Sequence, residues 1–122
     1  MMKYHDSQAQ LQQLKDIVQG FVAERDWQKF HSPKNIALNL SVEAGELLEK
    51  FAWMKEEASF EQVEQNRQEI EDEVADVFIS LLAFCNAANI DLSSAMLHKL
   101  QKIAAKYPIE KAQGIYTKYN KL

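Results

Sequence analysis

The chain has 122 residues, 47% of them hydrophobic and 26% charged, with 14 basic side chains against 18 acidic ones and a formal net charge of −4. That balance excludes a disordered chain and a general nucleic-acid binder, which needs a dense basic face. Only five residues are Gly or Pro, whereas 67 are the strong helix formers Ala, Leu, Glu, Lys, Gln, Arg and Met, so a turn-rich β fold is excluded and an all-α fold is expected.

In chain order, a first helix is expected to open near Asp6–Ser7, with Gln10 completing a capping box. It carries the stripe Leu11, Leu14, Val18, Phe21 and Val22 and ends near Arg25–Trp27. Ser32-Pro33 then gives a strong start signal, an N-cap followed by Pro at the first helical position. This second helix is expected to reach about Met54. A third starts at Ser59 with Gln62 and meets no Gly or Pro before Ala88–Asn89. Asp91 caps a fourth, Leu92 to about Lys106, which Pro108 stops; residues 110–122 read as an irregular tail. The length suits a single domain, 1–122.

A third helix of about 30 residues would be roughly 45 Å long, more than a globule of this size can cover. It therefore predicts a homo-oligomer in which subunits share a core. The lone Cys85 lies in an apolar run and is read as a reduced core residue. The polar N-terminus has no signal-peptide core, and no apolar run approaches the ~20 residues that span a bilayer. A cytoplasmic protein without a membrane partner is the expectation.

The chemistry concentrates in two acidic pairs, Glu43 with Glu46 on the second helix and Glu73 with Asp76 on the third. Residues three apart on a helix are neighbours. Such a pair is ordinarily a solvated face, but Glu43 falls inside the apolar stripe of Ile36, Leu40, Leu47 and Met54, and Asp76 sits among apolar residues. Four carboxylates about 5.5 Å apart would repel by roughly 3 kcal/mol per pair at an effective dielectric near 20. A divalent cation would turn that repulsion into a site. All-oxygen ligands favour a hard ion, Mg²⁺ or Mn²⁺. A di-iron bundle is disfavoured because His5, His31 and His98 lack a Glu three residues earlier. Gly45, costly within a helix, is expected where helices approach closely.

The order Glu24-Arg25-Asp26-Trp27-Gln28-Lys29-Phe30-His31-Ser32-Pro33-Lys34-Asn35, Val42-Glu43-Ala44-Gly45-Glu46-Leu47, Phe51-Ala52-Trp53, Glu73-Val74-Ala75-Asp76-Val77 and Lys106-Tyr107-Pro108 resembles the MazG-like nucleotide pyrophosphohydrolases, particularly their dCTP pyrophosphatase branch. The resemblance spans roughly residues 21–118. It implies an all-α, four-helix bundle completed by homo-oligomerisation, as a dimer or a dimer of dimers. It also implies Mg²⁺-dependent cleavage of a nucleoside triphosphate, dCTP or a modified pyrimidine, to the monophosphate and pyrophosphate, a nucleotide-pool house-cleaning activity. The family's metal carboxylates fall on Glu43, Glu46, Glu73 and Asp76. Its base pocket falls on Trp27, His31, Asn35 and Trp53, and its phosphate-facing lysines on Lys99 and Lys106. Glu46, with Glu43 beside it, is expected to serve the water that attacks; Glu49 is the alternative. Two positions depart from the pattern, Val42 where a further Glu is common and Ile103 where Asn is common. The alternative from another class is a non-catalytic helical oligomer binding a nucleotide or protein partner.

Overall fold

The computed structural model describes residues 4–122, and every regular element among them is helical. They fall into two compact units that meet between Asn89 and Ile90. The first unit carries α1 (Leu11–Glu24), α2 (Pro33–Glu49), α3 (Ser59–Gln65) and α4 (Arg67–Ala88); the second carries α5 (Leu92–Lys106) and α6 (Ile109–Ala112).

Local chemistry sets most of the boundaries. Ser32 Oγ accepts the Asn35 N–H at 3.1 Å, and Pro33 occupies the first helical position. Asp91 Oδ1 accepts the Ser94 N–H at 2.9 Å and opens α5. Asn89 ends α4 in the left-handed region, φ 55°, returning its N–H to the Cys85 carbonyl, the usual αL termination.

Four expectations about the elements are corrected. The first helix begins at Leu11: residues 6–8 form a turn, and the cap is Gln10, whose N–H donates to Gln13 Oε1 at 2.8 Å. The second helix stops at Glu49, and residues 50–53 are turns. The third is two helices, because Asn66 leaves helical geometry at φ −122°, ψ 39°, while its side-chain amide donates to Gln62 Oε1 at 2.7 Å. With that break α4 is roughly 33 Å long, and the argument from a 45 Å helix falls. The tail is ordered in part: α6 is followed by a helical turn at Tyr119–Lys121, and the Tyr119 N–H donates to the Tyr107 hydroxyl at 3.2 Å.

The core of the first unit lies where α4 packs on α2 and α1. Val22, Ile36, Ile70, Leu82, Ala83 and Cys85 are its buried apolar residues, and Cys85 is a free thiol, as expected. Gly45 does not fill the expected role within the chain, since a Cβ there would meet nothing within 4 Å. It lies among Leu38, Val42 and Leu48 on an outer stripe of α2, each of them 58–64% exposed. Among the described residues no single helix is long and apolar enough to cross a membrane.

Leu82 is 1% exposed, the most deeply buried large side chain. Leu82→Ala is expected to cost about 2–5 kcal/mol, read as a lowered urea midpoint with unchanged helical signal.

Candidate functional site

Helices α2 and α4 run antiparallel, so each step of three or four residues along one is matched by a backward step along the other. Glu43 and Glu46 thereby meet Asp76 and Glu73. One carboxylate oxygen from each of the four lies within 4.8 Å of all the others. The two pairs read from the sequence are thus brought into one cluster. Glu43, Glu46 and Glu73 are partly buried, and Asp76 is exposed.

The electrostatics of this cluster are unbalanced. Burial, and then the charges of Glu46 and Asp76, push the Glu43 carboxyl above its ordinary value. Burial and the Glu46 charge raise Glu73, while the nearby Lys50 ammonium pulls it partly back. Among the described residues, Glu43 Oε2 and Glu73 Oε2 are the buried side-chain oxygens without a hydrogen-bond partner. Buried carboxylate oxygens without donors are expensive, and converging on their neighbours they suit a hard cation with oxygen ligands.

One helical turn from the acids towards the N-terminus of α2, the character of the seam changes. The Asn39 amide donates to Ser80 Oγ at 2.9 Å, and Ser80 is buried. Beyond this pair opens a cavity of about 520 Å³, with Trp27, Phe21 and Phe30 among its walls and His31, Asn35 and Asn39 as its polar points. Trp27 follows Asp26, which holds a positive φ of 52°. The ring meets Phe21 edge-to-face, with centroids 5.8 Å apart. Asn35 is oriented by donating to the Phe30 carbonyl at 3.1 Å. An apolar, aromatic cavity with a few fixed polar groups is the usual form of a small-molecule site.

Trp27, His31 and Asn35 therefore share one cavity. Trp53 does not reach it; this ring is 98% exposed in the turn after α2. Lys99 and Lys106 belong to α5 in the second unit, where the Lys106 ammonium lies 4.7 Å from the Tyr119 ring centre. Three residues of the seam were missed: Asn39, Ser80 and Lys50. A signal existed, because each lies four residues from an acid of the quartet and so on its helical face.

Comparison with known proteins fits this geometry. The MazG-like family model matches residues 38–122, more than half of the chain and all of the acid quartet. The chain belongs to the MazG-like family. Within that relationship it is 34% identical over 118 residues to dCTP pyrophosphatase 1 of Bos taurus, a match covering 95% of this chain and 70% of the other. The Homo sapiens dCTP pyrophosphatase 1 is 34% identical over 114 residues, covering 92% and 67%. A solved pyrophosphatase structure from Archaeoglobus fulgidus superposes with a TM-score of 0.78 at 38% identity, over 88% of this chain and 98% of that one. The family match begins at Leu38, so the part of the cavity built from α1 and the Trp27–Asn35 link lies ahead of it.

The raised carboxyls give a pH signature. A carboxyl whose pKa is higher in the folded chain makes that state take up protons, so stability falls as pH rises from the ordinary value of 4.5 through the raised ones. The melting temperature of the metal-free protein is expected to fall across that window. Saturating Mg²⁺ should flatten the fall, and Glu43→Gln should reduce it without metal.

Proposed function

We propose that this MazG-like protein is a nucleoside triphosphate pyrophosphohydrolase acting on dCTP, releasing dCMP and pyrophosphate. The observation that carries the reading is the junction of a four-carboxylate cluster with an aromatic cavity along one helical seam. A triphosphate and four carboxylates repel unless cations lie between them, which supports Mg²⁺, with Mn²⁺ as a substitute, held by Glu43, Glu46, Glu73 and Asp76. When bound, such an ion supplies positive charge to phosphate oxygens and lowers the pKa of water.

The remaining work falls to the chain's own groups. The Trp27 ring offers a face to the pyrimidine, and His31, Asn35 and Asn39 offer polar atoms to its edge. Two turns along α2 from Asn39, Glu46 accepts a proton from the water whose oxygen attacks the α-phosphorus. The bond from that phosphorus to the bridging oxygen breaks, and pyrophosphate departs with the electron pair. Aromatic side chains wall the place of the base, so selectivity for one pyrimidine rests on fit and on paired polar atoms.

A homo-oligomer is part of the proposal. Leu38, Val42 and Leu48 flank Gly45 on the exposed stripe of α2, and the open space above Gly45 suits close approach of a helix from a second copy. Trp53, exposed in the turn after α2, then has a subunit boundary at which to meet substrate.

Purified protein with Mg²⁺ is expected to release pyrophosphate from dCTP in preference to the other common triphosphates, and EDTA should stop it. Asp76→Asn should lower kcat by at least about a hundredfold with helicity retained. No metal-dependent release from any of these triphosphates would overturn the reading. Trp27→Ala should raise KM for dCTP roughly tenfold, as loss of a stacking face does. Gly45→Leu is expected to shift the light-scattering mass towards the monomer.

A further inference from the structure

The α2–α4 seam continues past the acids in the direction away from the cavity. Read from the cavity end, Ile36 stands opposite Ala83, Asn39 opposite Ser80, the acids opposite one another, and then Lys50 opposite Glu69. The two polar pairs that bracket the acids are both formed: Asn39 to Ser80 at 2.9 Å and Lys50 Nζ to Glu69 Oε2 at 3.5 Å.

Lys50 differs from an ordinary surface lysine in three ways. Its side chain is only 29% exposed, against 66% for Glu69. Its carbonyl accepts the Gln62 side-chain amide at 2.6 Å, which fixes the backbone where α2 ends. Its charge also reaches Glu73 strongly enough to oppose the rise in that carboxyl's pKa. The other cation at this end of α4, Arg67, is engaged with Glu64 at 2.8 Å and Glu71 at 3.8 Å. The Lys50–Glu69 contact is loose and its acid is exposed, so the pair adds little to stability and its ammonium is free to exchange partners.

Direction decides what that partner is. With the base in the cavity and the α-phosphorus at the acids, the β- and γ-phosphates extend along the seam towards Lys50, about one helical turn or 6 Å beyond Glu46. We propose that Lys50 binds the two phosphates that leave as pyrophosphate, its ammonium exchanging Glu69 for a β- or γ-phosphate oxygen. This rests on the dCTP reading above and adds to it the polarity of the bound triphosphate and a named group for the leaving end.

The test separates the two products. Mg²⁺ with pyrophosphate, and separately dCMP, are titrated calorimetrically into wild-type protein and into Lys50→Met, Lys50→Arg and Glu69→Gln. Loss of a charge-assisted hydrogen bond predicts roughly tenfold to a hundredfold weaker pyrophosphate binding in Lys50→Met. Binding of dCMP should stay within about twofold, and Lys50→Arg should restore most of the loss. Glu69→Gln removes the competing acid and should bind pyrophosphate at least as tightly as wild type; it carries the test if Lys50→Met does not fold. Unchanged pyrophosphate affinity in Lys50→Met, equal losses for both products, or weaker pyrophosphate binding in Glu69→Gln would each overturn the proposal. Failure of wild-type protein to hydrolyse dCTP would instead count against the substrate reading, because the pyrophosphate titration reads Lys50 without turnover.

Discussion

Packing of α4 against α2 in one antiparallel register is the constraint on which the rest of the first unit depends. It places two carboxylates of each helix face to face, an arrangement that opposes the contact it is built into. Burial of Ile36, Leu82, Ala83 and Cys85 at one end, with the Asn39–Ser80 hydrogen bond, holds the helices together against that repulsion. Site and core therefore compete within a single helix pair. Glu43 and Glu73 show the conflict directly, each with a carboxyl pushed upward by burial and like charge.

The same register sorts the seam by polarity. Aromatic and aliphatic walls give way to an amide–hydroxyl pair, then to four acids, then to an ion pair. A molecule that is apolar at one end and heavily charged at the other can lie along such a gradient in one direction only. Family membership and similarity to dCTP pyrophosphatases agree with that molecule being a nucleotide, and in the proposed function separate parts of the gradient take the base and the phosphates.

Much of this was legible in the amino-acid order. Ser32-Pro33 and Asp91 announce their helices through side chains that bond locally, and an acidic pair at three-residue spacing inside an apolar stripe shows itself without a fold. What was not legible depended on weak or distant signals. Asn66 breaks a helix without being Gly or Pro, by leaving helical dihedrals at φ −122°, ψ 39°, and no composition rule isolates it. The cavity needs α1 and α4 to meet, and the Asn39–Ser80 bond joins residues 41 apart in the chain. A helical Gly45 points to close helix approach, yet the space above it is open within its own chain.

The break at Asn66 has a consequence for how the sequence can change over time. A residue gained or lost between Phe51 and Asn66 alters turns and a seven-residue helix, and α4 can begin again in its old phase. The same event between Asn39 and Glu43 would rotate every later side chain of α2 by about 100° relative to Asn39, turning Lys50, Glu43 and Glu46 off the seam together. Related chains are thus expected to vary in length on the α3 side of Asn66 and to keep the Asn39–Lys50 interval fixed.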